Sequence, residues 1–158
     1  EAGMLRKKGG CMVDTIRIQT EVKLCRDCQA CTLACSLHHE GECNLGLARL
    51  VVSKDMANYE FNILVCQHCD EPDCMVACPS DAMLLDDRGV VMILDEECNR
   101  CGACAVACPY DSIFYHEAQD RYLKCELCSG REAGPLCVEL CPVEALTLVA
   151  VEPVKVEV

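Results

Sequence analysis

The chain has 158 residues, of which 18 are cysteine, none is tryptophan and only 4% are aromatic. This composition leaves too little bulky apolar material for a conventional core, so it indicates a framework of disulfides or metal ligands. The formal net charge of −12 excludes nucleic acid and anionic membrane surfaces as favourable partners, and it favours a partner with a basic face.

The amino-terminal residues do not resemble an export signal. Residues 4–11 are basic and glycine-rich, and no apolar segment follows them. No part of the sequence reaches the ~18 apolar residues that a membrane-spanning helix needs. Disulfide frameworks belong to secreted proteins, so we expect a cytoplasmic protein with metal ligands instead.

A predicted strand leads into the first cysteine run. Residues 13–22 alternate β-branched and polar side chains, which is typical of a strand. A run with C-x2-C-x2-C-x3-C spacing follows, and Ser36 comes directly after its last member. The cysteines of run one are Cys25, Cys28, Cys31 and Cys35.

Two histidines and two cysteines outside the regular runs are further candidates for metal ligation. His38 and His39 occupy a polar stretch, and we interpret them as hydrogen-bonded loop side chains in preference to ligands or proton carriers. Cys11 and Cys43 each stand alone. We interpret both as thiols that belong to no ligand set.

Two further strands, at residues 47–53 and 59–65, are predicted before the second run. This run has C-x2-C-x4-C-x3-C-P spacing, because an acidic loop widens the gap before its third cysteine. The cysteines of run two are Cys66, Cys69, Cys74 and Cys78. His68 lies inside the run, and we expect it to pack or to donate a hydrogen bond near a ligand sulfur.

Predicted β-hairpins flank the third run, at residues 82–94 and 112–123. The cysteines of run three are Cys98, Cys101, Cys104 and Cys108. Their C-x2-C-x2-C-x3-C-P spacing is a ligand pattern of cubane 4Fe-4S clusters. Three thiolates of the tight loop hold one cluster, and the fourth points away to hold another.

The fourth run is C-x2-C-x8-C-x3-C-P, in which the long gap is a loop rich in glycine and proline. The cysteines of run four are Cys125, Cys128, Cys137 and Cys141. A last strand is predicted at residues 146–151.

Three of the runs continue with the same five-residue pattern. Proline, any residue, an acid, a small residue and a large apolar residue occupy residues 79–83, 109–113 and 142–146. This repetition predicts one turn, used three times, that returns the chain to a strand. Four runs of four thiolates match four 4Fe-4S clusters with none left over, whereas zinc sites use paired C-x2-C knuckles.

The spacing of the runs predicts how they pair. Only a short hairpin separates Cys78 from Cys98, as between the halves of a two-cluster ferredoxin. We therefore expect runs two and three to form an inner unit (residues 59–120), inserted into an outer unit of runs one and four (residues 13–58 and 121–151). Residues 1–12 and 152–158 are terminal extensions. The predicted fold is α+β, with two pseudo-symmetric ferredoxin-like units; the alternative pairs run one with two and three with four.

Exchange of the last cysteine within each pair of runs predicts four ligand sets. The first set is Cys25, Cys28, Cys31 and Cys141, and the second is Cys66, Cys69, Cys74 and Cys108. The third set is Cys98, Cys101, Cys104 and Cys78, and the fourth is Cys125, Cys128, Cys137 and Cys35. Every cluster is then fully ligated by cysteine, and the sequence contains no nucleophile constellation or phosphate-binding glycine pattern. We expect one-electron transfer, and no catalytic residues.

The four runs with these spacings resemble the four-cluster electron-transfer subunits of molybdenum and tungsten oxidoreductases, of the dimethyl sulfoxide reductase iron–sulfur type. The resemblance covers residues 13–151. It implies two pseudo-symmetric ferredoxin folds, the crossed ligand sets given above, and a relay of four 4Fe-4S clusters to or from a large catalytic subunit.

A narrower resemblance rests on residues 31–42 and 48–50. They are similar to the small subunits that accompany tungsten aldehyde oxidoreductases and the related benzoyl-CoA reductase. This implies a cytoplasmic, anaerobic tungsten system, in which further copies of the chain or a flavin or ferredoxin partner extend the relay. The alternatives are a freestanding polyferredoxin, a subunit of a formate dehydrogenase or hydrogenase complex, and a zinc-bound structural module.

Overall fold

The computed structural model describes residues 15–151, and within them the chain is α+β, as predicted. The helices are α1 (Ala30–Glu40), α2 (Asp73–Val76), α3 (Ala103–Ala107) and α4 (Leu136–Glu139). The strands are β1 (Thr15–Thr20), β2 (Leu50–Asp55), β3 (Glu60–Val65), β4 (Met83–Leu85), β5 (Val91–Ile93), β6 (Ile113–His116), β7 (Arg121–Lys124) and β8 (Leu146–Val151). Short 3-10 turns lie at Val22–Leu24, Leu45–Leu47 and Glu117–Gln119.

The strands of the described residues pair in twos, as four antiparallel ribbons: β1 with β8, β2 with β3, β4 with β5, and β6 with β7. Three of these ribbons are local hairpins. The fourth joins opposite ends of the described chain, with Thr20 opposite Leu146. Because run one follows β1 and run four precedes β8, this ribbon brings those two runs together.

The strands predicted from the sequence are confirmed, with shifted ends. The last strand begins and ends at the predicted residues. The strand predicted from residue 47 begins only at Leu50, because Leu45–Leu47 form a 3-10 turn. Asn44 caps that turn, and its Oδ1 accepts the N–H of Gly46 at 3.0 Å. Residues 13 and 14 of the first predicted strand lie outside the described residues.

The buried residues form two small cores in which cysteine is a major component. The larger core contains Ile18, Leu50, Val65 and Leu146 together with cysteines of runs one, two and four. The smaller core contains Met83, Val91, Cys104 and Ile113. Two-stranded ribbons are marginally stable by themselves. A metal group bound by the cysteines between the ribbons must therefore supply much of the free energy of folding.

The repeated five-residue pattern forms the same turn three times. Its acid is left-handed at each position: Asp81 (φ 51°), Asp111 (φ 48°) and Glu144 (φ 53°). Its small residue is buried each time: Ala82, Ser112 and Ala145. A larger side chain would not fit there, which is the physical reason for a small residue at this position.

Helix α1 differs from the other three helices, because it runs for 11 residues where they have four or five. Run one has Ser36 in place of the proline that follows the last cysteine of the other runs. A serine retains its N–H, so the helix continues to Glu40 and ends at left-handed Gly41 (φ 76°). The prediction that His38 and His39 lie in a loop is therefore wrong, since both lie in the last turn of α1.

None of the helices in the described part of the chain is both long and apolar enough to cross a lipid bilayer.

Candidate metal centres

The residue before the second cysteine of every run adopts a left-handed backbone conformation. These residues are Asp27 (φ 54°), His68 (φ 45°), Arg100 (φ 61°) and Leu127 (φ 54°). Left-handed residues in such loops turn successive N–H groups inward and create a concave site for an anion. Each non-glycine residue adopts this conformation at a cost of about 1 kcal/mol. Its recurrence in all four loops indicates a functional constraint on the backbone.

Two cavities are each lined by three cysteines of one run and the last cysteine of another run. One is lined by Cys66, Cys69 and Cys74 together with Cys108. The other is lined by Cys25, Cys28 and Cys31 together with Cys141. The structure thus brings together the members of the second and the first predicted ligand sets.

In the other two predicted ligand sets, the last cysteine of one run also lies beside the run with which it is predicted to share a cluster. Burial is the largest cause of the raised pKa of Cys104, and the charge of Cys78 adds to it. Burial is also the largest cause of the raised pKa of Cys137, to which the charge of Cys35 adds. Cys78 therefore lies beside run three, and Cys35 lies beside run four.

Burial makes bare thiolates unfavourable at several of these positions. Loss of hydration is the largest cause, and it brings the pKa of Cys31, Cys35 and Cys74 to about 11 and that of Cys125 to about 12. Buried anions of this kind need a cationic partner. Binding of iron supplies one, so assembly of the site is coupled to release of the thiol protons.

Backbone N–H groups donate to the last cysteine of three runs. The bonds are Ala82 N to Cys78 Sγ (3.3 Å), Ala145 N to Cys141 Sγ (3.2 Å) and Arg49 N to Cys35 Sγ (3.3 Å). In the first two cases the repeated turn presents the donor four residues after the cysteine. Run one lacks that turn, and a residue 14 positions away takes the same role. Such bonds stabilise the thiolate form and tune a bound cluster.

An ion-pair network lies beside the fourth ligand set. Arg49 lies 2.5 Å from Glu126 and 3.5 Å from Glu40, and Glu40 also pairs with Arg121. The side chain of Glu40 is only 9% exposed, so removal of one partner would leave a nearly buried charge. The network joins α1 to β7 and to run four, and no pattern in the sequence predicts it.

His39 contacts a predicted ligand. Its Nε2 lies 3.7 Å from Sγ of Cys128, and its Nδ1 lies 3.4 Å from Glu126. Burial, with the charge of Arg49 as the second cause, lowers the pKa of His39 to about 4, so the ring is neutral at pH 7. Ligand atoms of His38, His39 and Cys128 lie within 4.8 Å of one another. Since Cys128 belongs to a four-cysteine set, we interpret His39 as its hydrogen-bonding partner.

A buried lysine and a buried histidine line the cavity of the second set. Lys124 is 5% exposed, and no carboxylate oxygen of the described residues lies within 4.0 Å of its ammonium group. His68 is fully buried, and its Nε2 has no protein partner within the same part of the chain. A buried ammonium without a counter-ion and a buried N–H without an acceptor are both costly. An anionic cluster in this cavity would satisfy both groups, and an all-thiolate donor set is what iron–sulfur clusters require. The residues therefore fit a 4Fe-4S group.

Cys11 and Cys43 are the cysteines that we expect to belong to no ligand set. Cys43 is exposed and lies in neither cavity, and Cys11 lies outside the described residues.

Sequence reasoning missed Lys124. Its signal in the sequence is a single basic residue directly before run four, and without the fold that residue cannot be distinguished from a solvated surface lysine.

Cavities lined by cysteines of different runs, in an α+β chain of short ribbons, are typical of iron–sulfur cluster-binding proteins. The chain belongs to the family described as the 4Fe-4S dicluster domain, which matches residues 57–151.

Curated relatives include subunits of reductases. The chain is 33% identical to the putative electron transport protein YsaA of Escherichia coli, over 83% of this chain and 87% of that protein. It is 31% identical to a subunit of the anaerobic dimethyl sulfoxide reductase of Escherichia coli, over 77% of this chain and 67% of that protein. It spans only 52% of a tetrathionate reductase subunit of Salmonella typhimurium, at 32% identity over 77% of this chain. The predicted resemblance to reductase iron–sulfur subunits, as distinct from catalytic subunits, is confirmed.

Among solved structures, the chain is similar to one from the active site complex BamBC of benzoyl-coenzyme A reductase in complex with 1,5-dienoyl-CoA. The TM-score is 0.54 at 25% identity, and the alignment covers 89% of this chain and 80% of that chain.

Proposed function

We propose that this chain is an electron-transfer subunit that relays single electrons through four 4Fe-4S clusters to or from a large catalytic subunit. The observation that carries this proposal is the grouping of cysteines from different runs around shared cavities. When bound, the clusters supply one-electron redox chemistry. The chain itself provides thiolates, buries them, and directs N–H groups at their sulfurs.

The crossed ligand sets are part of the proposal. They are supported for the first two sets by the cavity that joins run one to Cys141 and by the cavity that joins run two to Cys108. For the other two sets they are supported by the contacts of Cys78 with run three and of Cys35 with run four. The alternative, in which run one pairs with run two, has no comparable support.

The insertion of one ferredoxin-like unit into another is also proposed, with the boundaries predicted from the sequence. Pairing of β1 with β8 supports an outer unit that is closed by both ends of the described chain. The separate small core around Met83 and Ile113 supports an inner unit. The β2–β3 and β6–β7 hairpins then connect the two units, since they cross the boundaries at residues 58/59 and 120/121.

For the catalytic partner we favour a tungsten enzyme of the aldehyde oxidoreductase family. The likeness to a chain of the benzoyl-coenzyme A reductase complex supports this choice. The likeness to dimethyl sulfoxide and tetrathionate reductase subunits supports the broader class, in which molybdenum takes the place of tungsten. A cytoplasmic location and an extension of the relay by further copies or by a flavin or ferredoxin partner belong to the same proposal.

A freestanding polyferredoxin is the second candidate, and the likeness to the putative electron transport protein YsaA over 87% of its length favours it. Anaerobic purification with metal analysis separates the candidates. The subunit proposal predicts about sixteen iron atoms per chain, four in each of four cubanes, and a co-eluting large chain that contains tungsten or molybdenum. Iron without a partner would support the polyferredoxin, and zinc in place of iron would contradict both.

A further inference from the structure

In the described part of the chain, one ligand set has a buried cation and a buried hydrogen-bond donor beside it, and the other sets do not. Lys124 and His68 both line the cavity of Cys66, Cys69, Cys74 and Cys108. Both side chains are buried, so water screens neither of them from a group in that cavity.

A single residue of strand β5 fixes both side chains. The carbonyl oxygen of Val91 accepts a hydrogen bond from Lys124 Nζ at 2.6 Å, and its N–H donates to His68 Nδ1 at 3.1 Å. Val91 is itself 1% exposed. The two groups are therefore held by one rigid backbone unit, and they do not need to reorganise when charge in the cavity changes.

This arrangement also determines which ring nitrogen of His68 carries the proton. Since the Val91 N–H is a donor, Nδ1 must accept, and a neutral imidazole then carries its proton on Nε2. Nε2 is buried and has no acceptor among residues 15–151. A cluster sulfur or ligand thiolate in the cavity is the acceptor that this N–H lacks.

The cations near the other sets are neutralised or exposed. Arg49 beside the fourth set is paired with Glu126 and Glu40. Arg100, in the third run, lies 3.5 Å from Asp120 and is exposed. Arg26, on the cavity of the first set, is exposed as well. Among the cations of the described residues, Lys124 is thus the one that is buried, faces a ligand set and has no carboxylate partner.

We propose that Lys124 and His68 make the site of Cys66, Cys69, Cys74 and Cys108 the most positive in reduction potential of the four, so that it receives the first electron. The inference rests on the proposed function, because it requires that 4Fe-4S clusters bind. One-electron reduction adds one negative charge, which is donated by a neighbouring site or an external reductant, and no bond is broken. A fixed cation and a hydrogen bond to sulfur both favour the more negative state.

The position of this site gives the inference a consequence for the relay. Lys124 directly precedes Cys125, whose carbonyl oxygen also accepts from its Nζ at 3.2 Å. Cys66 and Cys125 are both buried in the larger core, so the second and fourth sets adjoin. The electron is therefore held where the inner unit meets the outer unit.

Potentiometric titration of the iron-loaded full-length chain, followed by electron paramagnetic resonance, tests the inference. In the Lys124→Met variant we expect the equilibrium constant for reduction of the first-reduced cluster to fall at least tenfold, which corresponds to about 59 mV. The signals of the other three clusters should shift less, and the largest of these smaller shifts should occur at the fourth set, because Lys124 directly precedes Cys125. His68→Leu should shift the same signal in the same direction. The matched control is Lys54→Met, since Lys54 is exposed on β2 and lies over the Phe61 ring at 5.5 Å.

A second measurement covers the case in which Lys124→Met does not fold. In an otherwise unchanged chain, Cys69→Ser should alter the spectrum of the cluster that is reduced first. The inference is wrong if that signal is unaffected, or if Lys124→Met shifts no potential more than Lys54→Met does. Absence of any 4Fe-4S signal in the unaltered chain would instead contradict the proposed function, so the two failures are distinguishable.

Discussion

At the scale of single residues, the cluster loops combine left-handed backbone with close packing. Gly102 follows the second cysteine of run three and has φ +77°. A Cβ atom at this position would lie 2.6 Å from the hydroxyl oxygen of Tyr122. The Tyr122 ring also contacts the smaller core. Glycine at residue 102 is thus required twice, once by the backbone and once by the neighbouring ring.

Substitution of this glycine separates the two requirements. Gly102→Ala should cost about 1 kcal/mol in backbone strain and a further ~1–3 kcal/mol in overpacking. The matched control is Gly41→Ala, since Gly41 has φ +76° and nothing within 4 Å of its added Cβ. Denaturant titration under anaerobic conditions, followed by cluster absorbance, measures both costs.

A double variant tests the cause of the larger cost. Tyr122→Phe removes the hydroxyl, and the next nearest atom, Cζ, lies 3.5 Å from the position that the added methyl group would occupy. The Gly102→Ala penalty should therefore fall towards that of Gly41→Ala in the Tyr122→Phe background. An unchanged penalty would show that the ring contact does not cause it.

At the scale of elements, run one uses a longer helix to achieve what a proline turn achieves elsewhere. Ser36 is fully buried; its Oγ donates to the carbonyl oxygen of Leu33 at 3.0 Å and accepts the N–H of Asn44 at 3.0 Å. The hydroxyl therefore ties the interior of α1 to the chain that leads towards Arg49. Arg49 in turn donates to Cys35, so the helix and the loop together replace the repeated turn.

Exchange of serine and proline between runs tests this interpretation. Ser36→Pro should destabilise the iron-loaded protein by ~3 kcal/mol or more, because proline in a helix interior removes a hydrogen bond and clashes with the preceding turn. Ser36→Ala should cost less, about 2 kcal/mol, the value of two lost hydrogen bonds at about 1 kcal/mol each. The reciprocal control is Pro79→Ser, which lies beyond the end of α2 and should be nearly neutral. A tolerated Ser36→Pro, measured by helical circular dichroism and denaturation, would contradict this role of α1.

Local pattern and long-range contact differ in how far the sequence predicts them. The cysteine spacing, the three repeated turns and the strand at Leu146–Val151 depend on neighbouring residues, so the sequence predicts them well. The burial of Lys124 and the pairing of Arg49 with Glu126 depend on residues brought together from distant parts of the chain, and no local pattern encodes them. Helix α1 is an intermediate case, because Ser36 in place of proline is visible in the sequence while its partner Asn44 is not.

At the scale of the whole molecule, the proposed crossed ligation would tie each pair of runs together through two clusters. The cores are small and rich in cysteine, and the formal charge of −12 opposes compaction, so the cross-links that clusters would form between runs must hold the chain together. Loss of one cluster should therefore loosen two runs at once. The inner unit offers the clearest test, since Cys108 belongs to run three but lines the cavity of run two.

Crossed ligation predicts that Cys108→Ser and Cys69→Ser alter the same cluster signal, although the two cysteines belong to different runs. Cys104→Ser should alter a different signal, although Cys104 and Cys108 lie in one helix-containing run. The reason is geometric: Cys108 lines the cavity of run two, whereas Cys104 does not line that cavity and lies beside Cys78. Electron paramagnetic resonance of the three iron-loaded variants at matched potentials makes the comparison. If Cys108→Ser and Cys104→Ser share a signal that Cys69→Ser leaves intact, each run holds its own cluster and the crossed ligand sets must be abandoned.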